Sequence, residues 1–246
     1  MILDFPKTRD GVRPVRMMIF GPPGSGKTVI AGTLLKPPNF APRERLIMCG
    51  PVPTLANLLK VPWNNISPTD TKEQDRFFKG IAETDEHLFI AIDEFDAYCT
   101  KFGYKSSYLY HIMNFDRNFG KGVCAIARGT SDVSTNAIAS CDLILWFRTT
   151  EKNLLKYIRE TLKGFPGGER EAERVVSELP KYVALMYMPL SDERFPGYLK
   201  TVNGELLLYP LNRTKPALPE GSGTVVTPDA GKESSASTGR TSAAIT

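Results

Sequence analysis

Eight residues near the start of the chain constrain its fold more than any others: Gly21, Pro22, Pro23, Gly24, Ser25, Gly26, Lys27 and Thr28. They spell G-x-x-x-x-G-K-T, the pattern of a loop that cradles phosphates. Residues 15–20 are mostly apolar and long enough for one buried strand, and residues 29–35 read as the opening of a helix. Strand, glycine-rich turn and helix is the order such a loop needs. The helix N-terminus offers unpaired N–H groups and a partial positive charge. The glycines keep side chains away from a closely approaching anion. The eight residues are therefore expected to bind a nucleoside triphosphate, with Lys27 at the β- and γ-phosphates and the Thr28 hydroxyl on Mg²⁺. The flanks count against a Gly/Pro-rich turn that fits the pattern by chance.

Composition narrows the setting. A chain of 246 residues suits one domain with a tail, and 41% hydrophobic with 24% charged residues suits a soluble globular protein. The net charge of +4 is compatible with nucleic acid without pointing to it. Cys49, Cys99, Cys124 and Cys141 form no C-x-x-C pair and read as reduced core or near-core residues of a cytosolic protein. His87 and His111 have no ligand spacing with them, which argues against zinc. No signal peptide is expected from the polar first thirteen residues, and no apolar run approaches the roughly 20 residues of a membrane span.

Further along, Pro37 and Pro38 stop the first helix, and residues 46–49 read as a second short strand closed by Gly50 and Pro51. Residues 51–72 carry Pro53, Pro62 and Pro68 and give no clear element. Residues 71–82 read as a helix with Phe77, Phe78 and Ile81 on one face. Ser106 or Ser107 is expected to cap a helix running to about Phe119. Residues 123–127 and 143–147 read as strands, 151–163 and 169–179 as helices, and 182–188 and 206–209 as late strands at a sheet edge. The domain is expected to end near residue 213. Residues 214–246, rich in Ser, Gly, Thr and Ala, cannot bury enough apolar surface to offset their ordering entropy and read as a disordered tail.

A second anchor lies about 65 residues after Lys27. The apolar stretch 88–92 runs directly into Asp93 and Glu94. Acids at the C-terminal end of a buried parallel strand sit where open α/β sheets bind ligands. Asp93 is placed to hold Mg²⁺, and Glu94 to activate a water as general base. The other reading is an exposed pair of acids capping the next helix.

The stretch 116–159 adds a further pattern. Asp116-Arg117-Asn118-Phe119-Gly120 precedes a strand; Arg128-Gly129-Thr130-Ser131-Asp132-Val133 follows it; then come residues 136–140 and Cys141-Asp142-Leu143-Ile144-Leu145-Trp146-Phe147-Arg148. That order resembles the FtsK–HerA superfamily of DNA-pumping ATPases. Within it, the chain is similar to the genome-packaging ATPases of tailless, membrane-containing icosahedral double-stranded DNA viruses. The resemblance covers roughly residues 14–160. It implies an α/β, three-layer, RecA-like P-loop fold with a mainly parallel sheet. It also implies ATP hydrolysis coupled to movement along double-stranded DNA, a homo-oligomeric ring, and a capsid or viral membrane protein as docking partner. The setting would be the host-cell cytoplasm or the virion.

By the same resemblance Arg117, with Gly120 three residues on, matches the arginine that reaches a neighbouring subunit's site. An arginine near a helix C-terminus, paired with acids, is the alternative, and Arg128 and Arg148 compete for the role. Where cellular relatives carry a polar sensor, often Gln, this chain has Ala127, so Arg128, Thr130 or Ser131 would do the sensing, or the sensing differs. Residues 95–107 could form a pore loop, with Lys101 and Lys105 on phosphates and Tyr104 on the DNA backbone, or a solvated loop with its aromatics folded onto the body. A Zot-like phage assembly ATPase, a P-loop nucleotide switch and a small AAA+ helicase loader are the other functions considered. The first usually carries a membrane span after its ATPase domain and the last a helical lid, and neither is apparent in this sequence.

Overall fold

The computed structural model describes residues 5–100, 103–130 and 133–211, with the backbone of Thr224–Val225. The chain opens with β1 (Arg16–Phe20) and α1 (Lys27–Leu34), followed by β2 (Leu46–Gly50), α2 (Thr54–Leu59), β3 (Trp63–Asn65), α3 (Thr71–Glu83) and β4 (Phe89–Ile92). A small hairpin, β5 (Cys99–Thr100) and β6 (Gly103–Tyr104), leads to α4 (Ser107–Asn114). Then come β7 (Gly122–Ala127), α5 (Thr135–Ala139), β8 (Leu143–Phe147), α6 (Lys152–Thr161) and α7 (Glu169–Glu178). The last described elements are β9 (Val183–Tyr187), β10 (Gly197–Val202), β11 (Glu205–Pro210) and β12 (Thr224–Val225).

One 10-stranded sheet runs β12-β11-β10-β9-β8-β1-β7-β4-β2-β3. From β8 to β3 all neighbours are parallel. From β8 outward through β9, β10, β11 and β12 they are antiparallel. The central strands are buried along their whole length, as expected where helices cover both faces. Alternate residues feed two cores. Met18, Phe20, Ile90, Ile92, Ala125 and Trp146 face one side, beneath α3, α4, α6 and α7. Met17, Ile19, Ala91, Ile126 and Leu145 face the other, beneath α1 and α2. The fold is thus a three-layer α/β sandwich with a mainly parallel sheet. The Phe20 and Trp146 rings stack at 4.7 Å and tie β1 to β8.

Several local expectations shift. The helix expected to reach Phe119 stops at Asn114 and continues as a 3-10 turn over Asp116–Phe119. Its cap is Ser106, whose hydroxyl accepts the Leu109 N–H at 3.4 Å. The stretch 51–72 contains α2 and the edge strand β3, and β10 joins the two late strands to make an antiparallel extension. All four cysteines are free and buried. Among the described residues no helix is long and apolar enough to cross a membrane, and no cluster of His, Cys, Asp and Glu could hold a metal ion. The disordered tail expected at 214–246 lies outside the described residues, except for Thr224–Val225, which pair with Leu207 and Leu208.

Gly122, at the start of β7, leaves no room for a side chain. A Cβ there would lie 2.5 Å from the Arg13 carbonyl oxygen and 2.5 Å from the Phe89 ring. Gly122→Ala is expected to lower the unfolding free energy by about 1–3 kcal/mol, since neither backbone nor core ring can yield freely. Chemical denaturation checks this as a reduced midpoint.

Candidate nucleotide-binding site

The loop joining β1 to α1 lies at the C-terminal edge of the parallel strands, and so does the end of β4 with its two acids. Two glycines of the loop adopt left-handed backbone that a side chain would resist: Gly24 at φ 74° and Gly26 at φ 104°. Gly26 immediately precedes α1, and a Cβ on it would strike the Tyr182 ring at 2.8 Å. The Lys27 ammonium donates to the Gly21 carbonyl at 2.6 Å and to that of Pro22 at 3.0 Å. It rests on the loop's own neutral acceptors, which an arriving phosphate can replace. Burial lowers its pKa, opposed by the charges of Asp93 and Asp96.

Asp93 is buried at the end of β4, its N–H donating to the Cys49 carbonyl at 2.9 Å. Burial raises its carboxyl pKa, while a hydrogen bond from the Glu94 N–H and the charge of Lys27 pull the other way. The Asp93 Oδ1–Glu94 N distance is 3.0 Å. Glu94 sits in left-handed backbone at φ 52°, uncommon for a residue with a side chain. Its carboxylate pairs with Arg128, Nη2 to Oε1, at 2.5 Å. The Arg128 N–H in turn donates to Asp96 Oδ1 at 3.1 Å. The bond to Glu94 raises the Arg128 pKa. Arg128 is exposed and Glu94 partly so, which keeps the pair's contribution to about 1 kcal/mol and lets it open.

Lys27, Thr28, Asp93, Glu94 and Arg128 line one cavity of about 180 Å³, floored by Pro23 and Gly24. On the other side of the loop a second cavity of about 310 Å³ opens between Pro22, Pro23 and Gly24, the end of β8 and the turn 180–182. The predicted phosphate-loop and acid residues are therefore brought together. Arg117 is not brought to them within the chain. It lies before β7, at the opposite end of the sheet, with Nη1 2.8 Å from Asp142 Oδ1. Asp142 is buried and also accepts the Arg16 N–H at 2.8 Å.

The expected DNA-facing residues point elsewhere. The Lys105 ammonium donates to the carbonyls of Pro68 at 2.9 Å and Ala97 at 2.7 Å. Tyr104 packs between the rings of Phe95 and Tyr110. Phe95 and Tyr98 are in the core. This segment is thus folded onto the body, while Lys101 and Phe102 lie outside the described residues, as does the candidate sensor Ser131. The Glu94–Arg128 pair and the second cavity carry no sequence signature; only the recurrence of Arg128 among the candidate arginines hinted at the first.

No protein-family model and no curated protein matches the sequence. Solved structures do. The genome-packaging NTPase B204 from Sulfolobus turreted icosahedral virus 2, in complex with AMPPCP, is 19% identical with a TM-score of 0.55, covering 72% of this chain and 93% of that one. B204 from Sulfolobus turreted icosahedral virus, described as a DNA-packaging ATPase, is 17% identical at a TM-score of 0.57, covering 77% and 98%. The pCW3 conjugation coupling protein TcpA, as a monomer with ATPγS, is 14% identical at 0.51, covering 72% and 58%. The chain has the fold of a P-loop ATPase.

The raised pKa of Asp93 sets a pH dependence. Folding favours its protonated form, so that contribution is full below the ordinary carboxylate range and lost as pH rises through the raised value. Asp93→Asn is therefore expected to melt higher than the wild type at neutral pH, with the advantage shrinking in acid. Thermal unfolding across pH checks it.

Proposed function

We propose that this chain hydrolyses ATP to move double-stranded DNA, as one subunit of a homo-oligomeric ring that packages a viral genome. The observation that carries the reading is the convergence of Lys27, Thr28, Asp93 and Glu94 on one cavity at the C-terminal edge of the sheet. The fold shared with B204 and the sequence resemblance over roughly residues 14–160 support the packaging part.

In this mechanism residues 21–28 wrap the triphosphate with backbone N–H groups. Lys27 leaves the Gly21 and Pro22 carbonyls for the β- and γ-phosphate oxygens. The donor set suits Mg²⁺: a hydroxyl, Thr28, and a buried carboxylate, Asp93, flank the phosphate cavity. The ion would neutralise phosphate charge there. Glu94 accepts a proton from the attacking water, which requires Arg128 to release or share its carboxylate. Arg117 lies at the end of the sheet remote from its own chain's loop, a placement compatible with service to a neighbouring subunit's site, where it would offset charge on the transferring phosphoryl group. To do so it leaves Asp142. The ring would act in the host-cell cytoplasm and dock on a capsid or viral membrane protein.

Lys27→Ala and Glu94→Gln are each expected to abolish hydrolysis, while only Lys27→Ala seriously weakens nucleotide binding; full activity in Glu94→Gln removes Glu94 from the mechanism. Steady-state ATP hydrolysis across a protein-concentration series, with and without double-stranded DNA, tests the whole. Specific activity should rise with both, and Arg117→Ala should remove the concentration-dependent part. Activity indifferent to both leaves an ATPase or nucleotide switch that does not move DNA.

A further inference from the structure

The phosphate loop separates two cavities. Pro23 and Gly24 line both. On the β4 side lie the ammonium, the hydroxyl and the acid pair described above. On the β8–β9 side, Pro22, Phe147, Thr149, Pro180 and Tyr182 form a wider space, and the charged residues on its lining are the cations Arg148 and Lys181. A nucleoside triphosphate whose terminal phosphate is held beside Lys27 and Thr28 would extend across Pro23 and Gly24, which would put its nucleoside end in the second cavity, among Pro22, Phe147, Pro180 and Tyr182.

Tyr182 supports this placement independently. It stands in left-handed backbone at φ 68°, a conformation that disfavours a bulky side chain. Its side chain is half exposed (49%), so the core does not require an aromatic ring here. The ring reaches the loop, where Gly26 must lack a Cβ to admit it, and the Lys181 ammonium lies 4.8 Å from its centroid. A large aromatic held at conformational cost, beside a phosphate loop and at the mouth of a cavity, is the arrangement of a binding residue rather than a packing residue.

We propose that this second cavity is a nucleoside site in which the base packs against the Tyr182 ring. The assignment rests on reading the Lys27 cavity as the triphosphate site. The lining contains no carboxylate to pair with the N1–H and N2–H₂ donors of guanine. With packing on the ring as the main contact, adenine and guanine nucleotides should bind within about tenfold of one another.

Calorimetric titration separates the two ends of the ligand. ATP, GTP and inorganic tripolyphosphate are titrated, with Mg²⁺, into the full chain and into Tyr182→Phe and Tyr182→Asn. Asn tolerates left-handed backbone, so Tyr182→Asn removes the ring without new strain. The expected result is a Kd for ATP raised roughly five- to a hundredfold in Tyr182→Asn, the range of base–aromatic stacking. Tripolyphosphate affinity should be unchanged in that variant, and Tyr182→Phe should match the wild type with all three ligands. An unchanged ATP Kd in Tyr182→Asn overturns the proposal. So does an equal loss for tripolyphosphate, which would make Tyr182 a support for Gly26 and the loop. A wild-type gap between ATP and GTP wider than tenfold overturns recognition by packing alone. Wild-type protein that binds tripolyphosphate no better than buffer sinks the triphosphate reading itself, and this assignment with it.

Discussion

The nucleotide end of this molecule depends on β1 lying between β7 and β8, parallel to both. In that position Phe20 pairs with Ala127 on one side and Trp146 on the other, so the loop after Phe20 emerges from the middle of the sheet edge. The same register carries Ile92 level with Ala125, and Asp93 and Glu94 follow at once. A one-residue slip of any of these strands would turn its core face outward. The two apolar cores on either side therefore hold the phosphate loop, the acid pair and Arg128 at one edge. Packing energy spread over dozens of buried side chains positions a handful of polar ones.

Those polar groups are not arranged for stability. Lys27 is partly desolvated and leans on carbonyl oxygens. Asp93 is a buried acid whose ionised form is disfavoured. Glu94 and Tyr182 occupy left-handed backbone. Each costs the fold something, and sites of this kind are where folding preferences and functional needs are expected to conflict. The Glu94–Arg128 pair partly relieves the crowding of acids, but as an exposed ion pair it is weak enough to open. Arg117 is held differently. Its partner Asp142 is buried and anchored by the Arg16 N–H, so the arginine is tethered to a fixed point at the far end of the sheet while staying partly exposed.

Much of this was legible in the residues. The apolar stretches before Gly21, before Asp93, at 123–127 and at 143–147 are strands because parallel, doubly covered strands need continuous apolar sequence. The helices α3, α6 and α7 follow from stripes such as Leu154, Ile158 and Leu162, all buried. Short edge elements were not legible. β3 is three residues containing two asparagines, and it is a strand because β2 offers it a free edge, not because of its own propensity. The sequence left the segment 95–107 open between a DNA-facing loop and one with its aromatics folded onto the body. Lys105 is instead used within the fold, because two carbonyls happen to face it.

What the sequence determined by itself is the identity of the machinery. G-x-x-x-x-G-K-T after an apolar strand, and an acid pair after another, leave few folds that put them to use, because a phosphate loop needs a helix N-terminus and an acid pair needs a sheet edge. What only the tertiary structure decided is who meets whom across long separations. It brought Arg128 onto Glu94, sent Arg117 to Asp142 at the other end, and set Tyr182 against Gly26. Such contacts arise from strand order and register. These are properties of the folded sheet that no local run of residues encodes.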